Sequence, residues 1–484
     1  LSIIFILFLI TFCKFNNDSG IKFLIPLLVK NGSVTLSDSD GVTGLLEGVT
    51  LKTYTLVLNS QPTSNVVINI NFDKSVLKVN SQTSGTTSIT FTSTNWSTAQ
   101  TVYVYSVFNG TTDGTRSSII THSSASSDFN YDSISINSIS VTITDNQGSK
   151  LTSSFQSGTS TMTSASITAA LGTSVNSAMS FVYCNTRYPS SNIDIPVTCQ
   201  INSSGTSVEI KSGDLNTSTI VNWYVVEFSQ GALVERGSTT FTSSGSDLSQ
   251  TVNLSNTFDT NRTFLIAYSR VNGDNNNQTT DEQRTTMVKL SSTKSLELSR
   301  NEGGTATTIE WQVIQLDGAR VESGNSTISS GNSATTASLN SAFNSNSVVF
   351  FTSKGGSGVN GVETYYYTRG YYSSTTELTF QRGGSNDSVD VSWFAVEFVD
   401  GTTVQSGYTN IGSSSTTGTA NLSSSVDTTK TMILMSYDVT GYDTAYQDSG
   451  TFSAIFNSSS QIQFERYNSE SHLCDINWFT IQFK

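Results

Sequence analysis

The segment VSWFAVEFVDGTTVQSG, residues 391–407, is written three more times in this chain, as VNWYVVEFSQGALVERG from Val221, IEWQVIQLDGARVESG from Ile309 and INWFTIQFK from Ile476. Aligned on Trp223, Trp311, Trp393 and Trp478, the copies recur at intervals of 88, 82 and 85 residues. Solenoid repeats have periods of roughly 20–50 residues. Units of this length can each bury a small core, so the pattern reads as tandem domains.

The rest of each unit follows the same order. An apolar residue and a Gly open it (FQSG at Phe155, VERG at Val234, VESG at Val321, VQSG at Val404). A strand follows (MSFVYC, TFLIAYS, VVFFTS or TMILMSY), then a variable loop, then SVEIKS, SLELSR, ELTFQR or QIQFER, and the Trp strand closes the copy. The boundaries fall at residues 155–233, 234–320, 321–403 and 404–484. In the third Trp strand Val391, Trp393, Ala395 and Glu397 share one face, and Phe394, Val396 and Phe398 share the other. A strand apolar on both faces is covered on both faces. One face supplies a sandwich core and the other meets a neighbouring copy or chain, with the separate copies expected to unfold one at a time.

The composition agrees with an all-β chain. Charged residues make up only 13%, Gly numbers 35 and Pro 4, and Ser, Thr and Asn fill the space between Val, Ile, Phe and Tyr. The fold class expected is a string of antiparallel β-sandwich domains. A net charge of −13 with no basic cluster excludes a nucleic-acid partner.

Residues 33–147 carry no copy of the repeat. The runs YTLVLNSQP, NVVININF, SITFTSTNW, QTVYVYSV and ISVTITDN alternate apolar and polar residues at the spacing of a seven-strand sandwich. At LNSQPTSNV, FTSTNWSTAQTVYV and SDFNYDSISINSISVTITDN the segment resembles the Calx-beta-like (Ig-like) domains of bacterial surface proteins. That resemblance implies acidic loops able to hold calcium, with Glu47, Asp113 and Asp145 at the matching positions. Phe108 and Asn109 stand where paired acids are usual, and calcium needs six to eight oxygen ligands, so solvated loop acids without metal are the competing reading.

The first line of sequence reads as an export signal: a 12-residue apolar run, too short to span a bilayer, ends at Cys13. It resembles the lipobox of bacterial lipoproteins, of the looser spirochaete kind, which implies acylation of Cys13, an outer-membrane or cell-surface location and attachment to the membrane by lipid. An ordinary cleaved signal and a buried segment are the alternatives. Residues 14–32 read as a tether. Cys184 and Cys199 flank a 14-residue loop, and either a bridge worth roughly 3 kcal/mol or two buried thiols fits that spacing. Cys474 has no evident partner in the sequence.

The opening motif, as Gln405 and Gly407 show it in copy 4, and the closing motif, as Val391, Trp393, Val396 and Glu397 show it in copy 3, resemble the two ends of the H-type lectin family. The resemblance implies a six-stranded antiparallel sandwich, binding of N-acetylgalactosamine-type sugars, and assembly of chains through the repeat strands. The four Trp residues read foremost as structural, since burying one contributes roughly 4–6 kcal/mol gross.

Candidate ligand residues come from an internal regularity. Arg300, Arg382 and Arg466 each lie four residues after Leu296, Leu378 and Ile462, where copy 1 has Ser212. If the fifth and last strands pair as a hairpin, Arg300 falls opposite Ile309 near a loop tip. An Arg there offers a planar fork to carboxylates, sulfates or sugar hydroxyls, or satisfies local carbonyls. Tyr365 and Tyr367, in VETYYYTRGYY, either stack on sugar rings or cover a sheet.

No enzyme is expected: the only two histidines, His122 and His472, fall in different units, and no nucleophile elbow, zinc-protease, phosphate-loop or dinucleotide motif occurs. No cofactor is required. The expectation is a surface adhesin that binds glycans or host molecules, with a passive stalk or coat protein as its rival.

Overall fold

The computed structural model describes residues 30–38, 41–46, 51–80, 82, 84–107, 114–144, 152–188, 196–213, 218–229, 231–272, 285–355, 367–385, 387–440, 451–467 and 472–484. Within them the chain is all-β, a string of antiparallel sandwiches.

Residues 34–144 build the first sandwich. One sheet runs Val34–Ser37, Leu51–Leu58, Gln100–Ser106, Leu77–Val79, and the other Gly44–Leu46, Ile139–Thr144, Arg116–Ser126, Val66–Asn71, Thr86–Phe91. Period-two alternation aims Ile68, Ile70, Val102, Val104, Val141 and Ile143 inward around Tyr54 and Phe91. Nine strands appear among the described residues where the pattern suggested seven. Gly44–Leu46 and Leu77–Val79 have three residues each, too few for alternation to show, and the former pairs parallel to Ile139–Thr144.

Among the described residues, each copy of the repeat has six strands. The first strands are Thr152–Thr161, Ala232–Phe241, Ala319–Ile328 and Thr403–Ile411; the second, Ser166–Ala170, Ser249–Asn253, Ala334–Ser338 and Thr417–Asn421. The third are Ser180–Arg187, Thr263–Val271, Ser347–Gly355 and Thr431–Thr440, and the fourth Val197–Ile201, Met287–Ser292, Thr368–Ser374 and Ser453–Ser458. The fifth are Ser207–Ser212, Ser295–Ser299, Glu377–Arg382 and Gln461–Glu465, and the sixth Ile220–Phe228, Thr307–Leu316, Val389–Phe398 and Leu473–Gln482. In every copy the sheets run first–sixth–third and second–fifth–fourth, antiparallel throughout. The fifth and sixth strands therefore lie in different sheets and make no hairpin. Ile309 pairs with Thr239 and Ser269, not with Arg300, and the hairpin expectation is corrected.

The Trp explains the Gly that opens each copy. Gly158, Gly237, Gly324 and Gly407 pair directly with Trp223, Trp311, Trp393 and Trp478, and a Cβ on any of them would come within 2.3–2.5 Å of the Trp Cζ2. The ring lies flat across the gap that glycine leaves. Its Nε1 donates to a hydroxyl on the same first strand, Ser160, Thr239, Ser326 or Thr409, at 3.0–3.2 Å. Each indole is thus buried with its one polar group satisfied.

The other face of the third and sixth strands meets the neighbouring copies. The fourth strand of copy 1 packs on the third strand of copy 2, that of copy 2 on the third of copy 3, and that of copy 3 on the third of copy 4. The fourth strand of copy 4 then packs on the third and sixth strands of copy 1. One heterologous contact repeated four times closes on itself, so the repeats form a ring. Phe483 of copy 4 stands within 6.1–6.3 Å of Phe155, Phe181 and Phe228 of copy 1 and of Phe398 of copy 3. Phe181 meets Phe264 of copy 2, which stacks on Phe350 of copy 3 at 4.6 Å.

This overturns the expectation of four independent cores. One apolar cluster contains Phe181 and Phe228 of copy 1, Phe264 and Val313 of copy 2, Trp393 and Phe398 of copy 3, and Leu434 and Phe483 of copy 4. Among the described residues of the repeats, the interior of the copy 1 sandwich, around Trp223, Cys184 and Ile210, forms a separate cluster. A Phe or Val facing away from the Trp is too apolar to be left in water, and the ring is what buries it.

Candidate functional site

The three arginines are not ligand forks. Arg300, Arg382 and Arg466 are 1%, 1% and 2% exposed, and their guanidiniums are spent on backbone carbonyls. Arg300 donates to the carbonyls of Asp247, Thr242 and Thr305 and to the Thr307 hydroxyl. Arg382 reaches the carbonyls of Ser329 and Asn332, and Arg466 those of Gly412, Ser415 and His472. Each arginine ties the loop after the first strand to the end of the fifth. The five donors of a guanidinium suit a cluster of orphan loop carbonyls, and burial leaves nothing to offer a solvent ligand.

Arg466 Nη1 also lies 3.0 Å from Cys474 Sγ. Burial pushes that thiol up from 9.0 to about 12, against the opposing pull of Arg466. Cys184 and Cys199 are joined as a disulfide, with Cα atoms 6.5 Å apart, across the two sheets of copy 1. Tyr367 lies tilted against Tyr437 of copy 4, ring centroids 5.4 Å apart, at the junction between copies 3 and 4. Tyr365, Cys13 and the calcium candidates Glu47, Asp113 and Asp145 lie outside the described residues.

No group of three His, Cys, Asp or Glu side chains stands together as a metal site among the described residues. Asp128 of the first sandwich binds its own loops, accepting from the backbone N–H groups of Thr63 and Asn130, which hold its carboxyl below the ordinary range.

The paired motif residues hold loops. At the position two before the opening Gly, Glu235 accepts from the amides of Ser255 and Asn256, Glu322 from Asn340 and Ser341, and Gln156 and Gln405 from Thr173 and Ser424. Four residues after the Trp, Glu227, Gln315 and Gln482 accept from Asn176, Asp259 and Asp427 at 2.6–2.7 Å, while Glu397 binds Arg320. Both ends of the motif thus fix the loop between the second and third strands. The signal was present in the sequence as an acceptor side chain at two fixed offsets.

Open clefts occur among the described residues, and two concern the repeats. The first, of ≈ 420 Å³, lies where copy 4 closes on copy 1, between Ser157–Thr159 with Asn222 and Tyr224 on one wall and Ile455–Ser459 on the other. Burial keeps the Tyr224 phenol protonated, and its hydroxyl contacts the Ala454 carbonyl at 3.5 Å. The second, of ≈ 490 Å³, lies between the first and second strands of copy 4 over the edge of Trp478. Among the described residues, both are lined by hydroxyls, amides and a few apolar or aromatic groups, with no charged side chain in the lining.

No protein-family model matches the chain, and no curated protein matches it. A solved structure similar to part of it is the crystal structure of calcium binding domain CBD12 of CALX1.1, at 8% identity and a TM-score of 0.16 over 40% of this chain and 74% of that one. A score of that size carries no weight here.

Proposed function

We propose that the chain is an exported, non-enzymatic surface protein that binds neutral glycans, with the cleft at the closing junction of the ring as the site. The observation that supports this reading is the lining: Thr159, Thr428, Asn457 and Ser458 supply neutral donors and acceptors, and Ile455, 39% exposed, supplies an apolar surface for the C–H face of a sugar. An uncharged, hydroxyl-rich cleft with one apolar wall suits a polyhydroxylated ligand better than an anion or a peptide with charged groups. Anchoring by an acylated Cys13, and calcium at Glu47, Asp113 and Asp145, complete the proposal from the sequence.

Full-length protein and Ile455→Glu are screened on one array of neutral and sialylated glycans. Binding to neutral glycans that falls about tenfold or more in the variant, with an unchanged melting temperature, supports the site. Binding confined to anionic glycans, or equal in the two proteins, removes it; no binding at all favours the passive stalk or coat.

A further inference from the structure

At each junction of the ring one fourth-strand position faces one third-strand position of the next copy. The register places Thr198, Met287, Arg369 and Ser453 at the first position, and Arg270, Lys354, Asp438 and Arg187 at the second. Arg270 Nη1 donates to Thr198 Oγ1 at 2.6 Å and Arg369 Nε to Asp438 Oδ2 at 2.8 Å. By equivalent register Met287 stands level with Lys354 and Ser453 with Arg187, so three junctions match a neutral side chain with a base. The junction between copies 3 and 4 alone inverts this, with the base on the fourth strand and the acid on the third.

The inverted pair is well buried. The side chains of Arg369 and Asp438 are 9% and 2% exposed, and Arg369 also donates to Asn477 at 2.8 Å and approaches Asp475 at 3.8 Å. The guanidinium stands 5.3 and 5.4 Å from the rings of Tyr371 and Tyr408.

We propose that the Arg369–Asp438 pair fixes the order of the copies by preventing copy 3 from closing on copy 1 before copy 4 is in place. Copies 1 to 3 are synthesised first, and the fourth strand of copy 3 then has the uncovered third strand of copy 1 as an intramolecular partner. Closure there sets Arg369 against Arg187. The carboxylate that Arg187 pairs with in the ring, Glu465 at 3.2 Å, belongs to copy 4, and Gln381 holds the corresponding place in copy 3. Two largely buried guanidiniums with no carboxylate between them repel, so the three-copy ring is disfavoured. Asp438 in turn finds a cation only on copy 3, since Thr198, Met287 and Ser453 are neutral.

The test transplants the pair found at the junction of copies 2 and 3, making R369M/D438K in the full chain. That pairing is already tolerated in this ring, so the native junction remains buildable while the order information is lost. After refolding from denaturant, wild type should return one protease-resistant species. The variant should return about tenfold more chains cut between copies 3 and 4, at residues 399–402, or associated through an undocked copy 4. R369D/D438R, which sets a carboxylate against Arg187 in the wrong ring, should misclose further and serves if the first variant does not fold. A variant that refolds to the single resistant species in wild-type yield overturns the proposal. Failure of both variants to fold also overturns it, because the pair would then act on stability and not on order.

Discussion

Thr352 of copy 3 holds Val288 of copy 2 by both ends of its backbone: its Oγ1 accepts from the Val288 amide and donates to the Val288 carbonyl, each at 2.9 Å. The same grip recurs one junction on, where Ser436 meets the amide and carbonyl of Gly370 at 3.0 and 3.5 Å, and again where Asn185 accepts from Ala454 at 3.1 Å. The fourth strand is an edge strand whose outward backbone groups need partners once buried. A short polar side chain from the next copy supplies them.

Thr352→Val keeps the shape and removes both bonds, leaving a buried amide and carbonyl unpaired. The expected loss is about 1–3 kcal/mol in urea unfolding, and Thr352→Ser should recover most of it.

Gly324→Ala places a methyl 2.4 Å from Trp393 Cζ2 in a space the ring fills. Overpacking of this kind costs about 1–3 kcal/mol and should change the near-ultraviolet dichroism of the Trp. Gly245→Ala, with nothing within 4 Å of the new methyl, is the control and should leave both unchanged.

Arg382→Lys tests the reassignment of the arginines. Lysine lacks the fork that reaches both Ser329 and Asn332, so the free energy of unfolding in urea should fall by about 1.5–3 kcal/mol, while glycan binding measured below the unfolding transition stays as in wild type. A tenfold loss of binding with unchanged stability would restore Arg382 as a ligand residue.

Much of this was legible in the sequence. Trp and Gly recur because one ring needs one gap, and acceptor residues recur at fixed offsets because one loop needs holding. The apolar outer face of Phe394, Val396 and Phe398 showed that something covers each copy. Two features were not legible. Arg300, Arg382 and Arg466 look like surface groups because their partners are backbone carbonyls, which leave no trace in side-chain identity. The closure of copy 4 on copy 1 depends on the angle between copies, a property of packing that a strand pattern does not encode.

Cys474 reports on the interior of copy 4. A thiol raised to about 12 by burial stays protonated, so iodoacetamide at pH 8 should leave the peptide bearing Cys474 unlabelled until denaturant is added. The folded form holds its proton more tightly than the unfolded form, whose value is near 9.0, so this contribution to stability is complete below pH 9 and is lost as the pH rises toward 12. Labelling of the native protein would place Cys474 at the surface.

The claim that the four copies form one closed ring with a shared axis is tested most directly by hydrogen exchange, read peptide by peptide, on wild type and Phe483→Ala. The substitution removes a ring that touches copies 1 and 3, at a cost of about 3–5 kcal/mol. The expected result is faster exchange in Ser180–Arg187 and Ile220–Phe228 of copy 1 and in Val389–Phe398 of copy 3, together with the last strand of copy 4. Faster exchange confined to residues 403–484, with copies 1 and 3 protected as in wild type, would contradict the ring and return the repeats to four independent domains.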